Sequence, residues 1–396
     1  MTNPTNEVVI SVDSHITEPE ELWDRLPEEM QCYRSTDEVL SDGSERSSVE
    51  GAYTRLPRID ALSEDDLDCE YRRDESGARD LDRRRADMAR EGVDAQVIFP
   101  EVGLGLGMGN GSREYHNVIA RAYNDWIHEA LAPDAKRFLA AALIPMDEVE
   151  DAIAEAKRCI DLGFKTLFLP VTVPWKPYWH PDYEPLWSLI EEARVPISFH
   201  VFSGNLYFGT DFAFLPFLTP EQYEASRKVN EEIGDVPERM ATTVVGMAAG
   251  MGPIIHLTGS GVLERHPNLR FAIVEAECGW LAWSLSAMDS MQQKRHLYLE
   301  HLPLKASEYF LRQGSVSISD DPAGVHNFAL TGCDCILWGN DYPHDEGTFP
   351  NSRPIIEAMR QSVEPGDMRK ILGENAAKLY GFDLDYLADH RIGKAA

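Results

Sequence analysis

The residues Val8-Val9-Ile10-Ser11-Val12-Asp13-Ser14-His15-Ile16-Thr17-Glu18-Pro19 decide how the rest of this chain is read. A short β-branched run ends there and delivers an aspartate, a histidine, a glutamate and a proline in quick succession. Side chains alternate along a strand, so Asp13 and His15 leave the same face. In isolation an Asp-x-His pair reads equally well as a turn aspartate beside a surface histidine. Two further strand ends along the chain turn the reading toward ligand chemistry.

Outward from that stretch, residues 20–78 are polar and read as an insertion. Gly, Ser, Asp and Arg dominate, apolar residues are too few for a separate core, and 35–52 reads as loop. From Arg79 the pattern becomes repetitive. A helix from Leu81 stops at Glu91-Gly92, and 93–99 follows as a strand. Helix 112–131 precedes strand 138–143, helix 147–162 precedes strand 166–169, and helix 183–193 precedes strand 195–199. After an interruption at 201–240 come helix 241–264, strand 269–274, a helix from about Trp280, and strands 316–318 and 335–339. Such alternation predicts a parallel sheet, and eight units predict closure into a distorted (β/α)8 TIM barrel, an α/β fold of one domain over 1–396. The 20–78 and 201–240 segments then become insertions after strands one and five, over the barrel mouth. An open doubly wound sheet would carry a Gly-rich turn after strand one, where this chain has Asp13-Ser14-His15.

Functional residues of such barrels sit at the C-terminal ends of the strands. Here those ends offer Asp13 and His15 from strand one, Pro170 from four, His200 from five, Glu275 from six, Asp320 from seven and Asp341 from eight. Asp13, His15, His200 and Asp341 converge on one axis. They mix imidazole with hard carboxylate oxygen, a donor set for Zn²⁺, Mn²⁺ or Fe²⁺ with a position open for water or substrate. Each residue alone reads as a turn cap or a satisfied polar group; all four on three strand ends read as a metal site. The formal charge of −30 repels nucleic acid, and no apolar run reaches the roughly 18 residues of a membrane span. The first residues lack the basic-then-apolar order of a secretory signal. Six cysteines without a CxxC pair read as reduced thiols, and the expectation is a cytoplasmic protein.

The runs DSHITEP (13–19), LGFKTLFLP (162–170), VPISFH (195–200), SGVLERHPNLRFAIVEAECGW (260–280), LWGNDYPHDEGTFPNS (337–352) and ILGENAAKLYGFD (371–383) together resemble the amidohydrolase superfamily. The subgroup is the amidohydrolase-related one (family 2) typified by aminocarboxymuconate-semialdehyde decarboxylase. The resemblance implies a metal on Asp13, His15, His200 and Asp341. Three departures matter. The subgroup's commonest strand-one pair is His-x-His, and relatives with an acidic first residue are decarboxylases preferring Mn²⁺ or similar ions. Strand four ends in Pro170, so the carbamylated-lysine bridge of two-metal hydrolases has no lysine here. The decarboxylases carry a proton-shuttling histidine at the end of strand six, where this chain has Glu275, with Glu277 two residues on.

A carboxylate at that place can move a proton or hold a second metal. Glu275, His256 and His344 are therefore the catalytic candidates, and Glu18, His256, Glu275 and Glu277 the candidates for a second ion. His256, among Ile254, Ile255 and Leu257, reads alternatively as a hydrogen-bonded core histidine. Glu18 reads alternatively as an acidic cap on the helix after Pro19. Trp280 and Trp283 read as packing between barrel and helix. The 201–240 insertion is rich in aromatics (Tyr207, Phe208, Phe212, Phe214, Phe217, Tyr223) directly after His200. It reads as a lid over a bulky apolar or aromatic substrate, or as a face packing the second protomer of a homodimer.

The functional expectation is a metal-dependent enzyme that hydrolyses or non-oxidatively decarboxylates a small carboxylate- or carbonyl-bearing molecule. A dinuclear non-haem iron or Mn/Fe monooxygenase on the same fold is the alternative, its second metal ion held by the surplus carboxylates. A degenerate barrel serving as a partner subunit is the third reading, opposed by the intact donor set.

Overall fold

The computed structural model describes residues 7–34, 36–39, 45–49, 52–54, 77–105, 112–173, 176–203, 217–218, 236–294, 302–344 and 346–392. Eight parallel strands run in chain order around one axis. Strand one comes in two pieces, Ile10–Ser11 and His15–Ile16, and the others are Ala95–Pro100, Phe138–Leu143, Thr166–Pro170, Ile197–His200, Phe271–Val274, Gly314–Ile318 and Ile336–Trp338. Helices cover the outer face, so the strands are buried on both sides and read as nearly unbroken apolar runs: Ala95, Val97, Ile98 and Phe99 are all buried. Register carries the site. His200 lies opposite Pro170 on one side and Val274 on the other, which brings Glu275 up beside it.

The barrel closes between strands one and eight. The Val12 N–H donates to Trp338 O at 3.0 Å, the Asp341 N–H donates to Asp13 O at 3.0 Å, and Ser14 bridges Tyr342 in parallel. The closing seam thus joins the backbones of two candidate ligands, Asp13 and Asp341.

Helix boundaries follow their punctuation. Asp80 caps Leu81–Glu91 by accepting from the Asp82 and Arg83 N–H groups, and Gly92 ends it at φ 76. The single helix expected over 241–264 is three: Val236–Ala249, Met251–Gly259 and Val262–Arg265. Pro253 has no N–H to offer and its ring would meet the carbonyl of Ala249, so the helix breaks at Gly250. The 35–52 stretch read as loop contains the strands Thr36–Val39 and Glu45–Val49, and Ala52–Thr54 continues them as an antiparallel sheet. A fourth strand, Phe217–Leu218, comes from the second insertion and pairs with Thr54 and Tyr53. Trp280 packs against the core, its indole N–H donating to Ala276 O at 2.7 Å, but Trp283 is 67% exposed and packs no barrel interface.

Among the described residues Cys159, Cys278, Cys333 and Cys335 are free and buried; the side chains of Cys32 and Cys69 lie outside them. Among the described residues, too, no helix is long and apolar enough to cross a membrane.

One buried cation braces strand one from below. Arg84 donates to Gly77 O at 2.8 Å, to Gln96 Oε1 at 3.0 Å and to the carbonyl of His15. Burial lowers its guanidinium to about 10, with Tyr342 and Asp87 opposing. Arg84→Met is expected to cost about 3 kcal/mol, because three acceptors and the buried Asp87 lose their cation. A fall in the urea midpoint with an unchanged m-value checks this.

Candidate metal centre

Asp13, His15 and His200 each place one donor atom within 4.8 Å of the others. The two histidines are prepared in the same way. His15 Nδ1 lies 3.2 Å from Pro100 O, and His200 Nδ1 lies 2.8 Å from Val201 O. A carbonyl that accepts from Nδ1–H fixes the tautomer whose lone pair is on Nε2. Those Nε2 atoms face Asp13 Oδ1 at 3.5 Å and 3.2 Å, and His15 Nε2 is 3.3 Å from Asp341 Oδ1. All four side chains are buried. Yet His15 Nε2 and both carboxylate oxygens of Asp341 have no hydrogen-bond partner. Buried polar atoms left that way are costly unless a cation meets them. The donor set therefore fits a divalent ion.

Electrostatics agree with that fit. Burial raises Asp13, but His15 and His200 outweigh it and hold the carboxyl well below its ordinary range. Burial and the neighbouring His344 lower His15, while Asp13 and Asp341 prevail and carry it to about 9. A cation must displace that proton, so Mn²⁺ affinity is expected to rise with pH up to about 9 and proton release to accompany loading. Titration at several pH values with a proton-release readout checks the sign.

The backbone is bent at three of the candidate acids. Glu275, Glu277 and Asp341 adopt φ of 61, 50 and 50, in the left-handed region that costs non-glycine residues about 1–3 kcal/mol each. The Glu275 N–H is held by Ser317 Oγ at 2.8 Å. Gly339 has no room for a side chain, since a Cβ there would lie 2.6 Å from that of Asp13. Gly339→Ala is expected to push Asp13 aside and weaken cation binding by about tenfold or more, as changes behind a ligand do. Calorimetric Mn²⁺ titration reads that directly.

His344 joins the cluster. Its ring stacks on His15 at 4.0 Å, with Nδ1 2.9 Å from Asp341 Oδ1 and Nε2 2.9 Å from Glu101 Oε2. Burial lowers its pKa, but Asp341 and Glu101 on either side carry it well above the ordinary range. Glu275 Oε2 lies 3.4 Å from His200 Nδ1. Burial, with the charges of Asp341 and Asp13 next, pushes this carboxyl well above its ordinary range.

Three expected residues are not brought there. Glu18 turns away to accept from the Glu101 N–H at 3.3 Å and the Gly103 N–H at 3.0 Å, and it does not cap the helix Glu20–Trp23. Glu277 accepts from the Ser319 and Asp320 N–H groups at 3.1 Å each and from the Ser319 hydroxyl. His256 lies on the outer helix Met251–Gly259 edge-to-face with Trp179 at 4.4 Å, its Nδ1 buried without a hydrogen bond. Among the described residues none of the three belongs to a group of donor atoms close enough to share an ion. Asp320, at the end of strand seven, is exposed.

Two acids in the cluster went unread in the sequence: Glu101, whose side chain is 42% exposed, and Glu346. The signal for Glu101 was present, because it directly follows the end of strand two at Pro100. Glu346 lies five residues past Asp341 in an acidic loop that carried no distinguishing pattern.

Comparison with known proteins places the chain in a family. The amidohydrolase family profile matches residues 12–382. The chain is 23% identical over 319 residues to the 2-amino-3-carboxymuconate-6-semialdehyde decarboxylase of Dictyostelium discoideum, covering 79% of this chain and 80% of that one. An amidohydrolase structure from Mycobacterium avium subsp. paratuberculosis superposes with a TM-score of 0.71 at 19% identity, over 95% of this chain and 100% of that one. A dihydroxybenzoic acid decarboxylase from Polaromonas sp., solved with manganese and the inhibitor 2-nitroresorcinol, gives a TM-score of 0.60 at 19% identity over 95% and 97% of the two chains. At such identities the superpositions speak for the fold. The family match spans nearly the whole barrel, from strand one to the helix after strand eight, and the chain belongs to the amidohydrolase family, among enzymes of the hydrolase or carboxy-lyase class.

Proposed function

We propose that this enzyme removes a carboxylate non-oxidatively from a bulky planar acid, using a divalent cation held by Asp13, His15, His200 and Asp341. The observation that carries the reading is the pair of buried imidazole Nε2 atoms turned onto Asp13, beside an acid, Glu275, 3.4 Å from His200. When bound, the ion supplies positive charge for the substrate carboxylate or an adjoining oxygen.

Glu275 moves the proton. Buried beside Asp341 and Asp13, its carboxyl retains the proton that a solvated glutamate would lose. It delivers that proton to the carbon from which CO₂ departs. The bond to the carboxylate carbon breaks, its electron pair becomes the new C–H bond, and Glu275 is left ionised until water returns a proton. His15 and His200 stay fixed by the carbonyls of Pro100 and Val201 throughout, which holds the substrate at one distance from Glu275.

The substrate class is supported by the relatives, which act on carboxylated muconate semialdehyde and dihydroxybenzoic acid, and the manganese of the latter supports Mn²⁺. In this reading the 20–78 and 201–240 insertions cover the substrate together. Their pairing through Tyr53–Thr54 and Phe217–Leu218 supports a joint lid, and a homodimer packed through the aromatic insertion is the accompanying expectation for sizing experiments.

Mn²⁺-loaded protein incubated without oxygen with a panel of hydroxylated benzoic acids is expected to release CO₂ in equal amount to the decarboxylated arene. Turnover that starts only when oxygen is admitted, with a hydroxylated product, overturns decarboxylation in favour of a dinuclear monooxygenase.

A further inference from the structure

We propose that Glu277 and Asp321 are positioning residues for Glu275: two carboxylates exchanged between the loops after strands six and seven lock residue 275 in the backbone that aims its side chain at the cation site. The proposal rests on Glu275 acting as the proton donor, as read above.

Strand six leaves its ladder just before that acid. Its pairing with strand seven ends at Ile273 opposite Val316, and two residues later the backbone turns left-handed, at φ 61 for Glu275 and φ 50 for Glu277. Residues other than glycine avoid that region unless their surroundings hold them in it. Here the hold comes from strand seven and its loop. The Glu275 N–H donates to Ser317 Oγ at 2.8 Å. The Glu277 carboxylate crosses to the strand-seven loop and accepts from the Ser319 and Asp320 N–H groups at 3.1 Å each and from the Ser319 hydroxyl.

The strand-seven loop sends a carboxylate back. Asp321 Oδ2 accepts from the Cys278 N–H at 3.0 Å and from the Gly279 N–H at 2.5 Å. Gly279 permits that approach, since a Cβ there would lie 3.0 Å from the same oxygen. Capping the helix Pro322–Thr331 takes only Oδ1, which accepts from the Gly324 N–H at 2.9 Å. Oδ2 is surplus to the cap and serves the clamp. The Ala276 and Gly279 carbonyls are held as well, by the Trp280 indole N–H at 2.7 Å and by Asn327 Nδ2 at 3.0 Å. Every residue from 275 to 279 is thus tied by at least one of these bonds.

Neither clamping carboxylate belongs to the cation site. Among the described residues neither is part of a group of donor atoms close enough to share an ion, and both are taken up by backbone N–H groups. Hydrogen bonds to a charged acceptor are about twice as strong as neutral ones, which suits a device that offsets two left-handed residues. Their route to the chemistry runs through Glu275, whose Oε2 lies 3.4 Å from His200 Nδ1. A proton donor works only within hydrogen-bond reach of its target. With the clamp released, residue 275 relaxes to negative φ and its carboxyl swings away.

The experiment compares Mn²⁺-loaded full-length wild type with Glu277→Ala, Glu275→Gln and the double variant. A crystal structure of Glu277→Ala is expected to show residue 275 outside the left-handed region and its carboxyl farther from His200, with Mn²⁺ affinity by calorimetry unchanged. On the acid that wild type decarboxylates in the panel above, kcat is expected to fall about a hundredfold with KM little changed, the effect of a reacting group about 1 Å out of place. In the Glu275→Gln background the same substitution is expected to lower kcat no further, because a residue acting through Glu275 has nothing left to position. Asp321→Asn tests the other half and is expected to repeat the pattern, a fall in kcat that vanishes in the Glu275→Gln background. Glu277→Gln keeps one acceptor oxygen, is expected to fall in between, and replaces Glu277→Ala if circular dichroism shows the latter unfolded. Residue 275 held at its wild-type φ in Glu277→Ala, or an equal further fall in the Glu275→Gln background, overturns the positioning role. Wild-type turnover by Glu275→Gln overturns instead the proton-donor reading beneath it; residue 275 then shifts in Glu277→Ala without any fall in kcat.

Discussion

His200→Ala is expected to abolish turnover and to release the tightly held cation, leaving a folded barrel. His200 closes strand five, its Nδ1 tied to Val201 O at 2.8 Å and its Nε2 3.2 Å from Asp13. Alanine removes one of the two imidazoles whose Nε2 faces Asp13; the His344 Nδ1 faces Asp341 instead, 2.9 Å from its Oδ1, and His256 lies on an outer helix. Loss of a ligand costs more than the tenfold to hundredfold expected for groups behind it, and activity follows occupancy. The fold survives because the strand-five backbone still pairs with strands four and six. Elemental analysis and circular dichroism on one preparation check both halves. Full metal content in the variant sinks the assignment; an unfolded variant is caught by the spectrum and answered by repeating the measurement on His200→Gln.

Glu275→Gln is expected to lower kcat by about a hundredfold to ten-thousandfold, the span for loss of a positioned general acid. KM and metal content should change little. Glutamine keeps the size and the hydrogen-bonding reach of the side chain but has no proton to deliver. The sign of the pH dependence follows from the role: a donor works only while protonated, so activity falls as pH rises through the raised pKa of Glu275. The variant should lose that alkaline limb from its residual profile. Burial and the charges of Asp341 and Asp13 place the limb well above an ordinary glutamate. Loss of metal together with activity, at every pH alike, would instead make Glu275 a ligand.

Much of this architecture was legible before folding was considered. The β-branched run into Asp13-Ser14-His15, the recurring helix-then-strand units and the glycine stops at Gly92 and Gly163 are local signals. They state which residues form elements and where the elements end, and in a parallel barrel the end of a strand is already an address. Asp13, His15, His200 and Asp341 could be named for that reason. The break at Pro253 is equally local, but the apolar periodicity on either side of it reads as one continuous helix.

Other features depend on partners far away in sequence. Glu18, Glu101, Glu275, Glu277 and Glu346 are all acids near strand ends, and nothing in their neighbours tells them apart. Their direction is set by backbone angles and distant hydrogen bonds. Glu18 is claimed by the Gly103 N–H and Glu277 by Ser319, while Glu101 is drawn in by His344 from across the closing seam. The pairing of Phe217–Leu218 with Tyr53–Thr54 is likewise a contact between segments more than a hundred residues apart. Sequence by itself determined the barrel and which strand-end residues meet at its mouth, because periodicity and strand ends are encoded within a few residues. Tertiary structure alone decided which of many similar carboxylates gather at the candidate metal site, because that choice is made by φ at single residues and by bonds that exist only once strands one and eight have met.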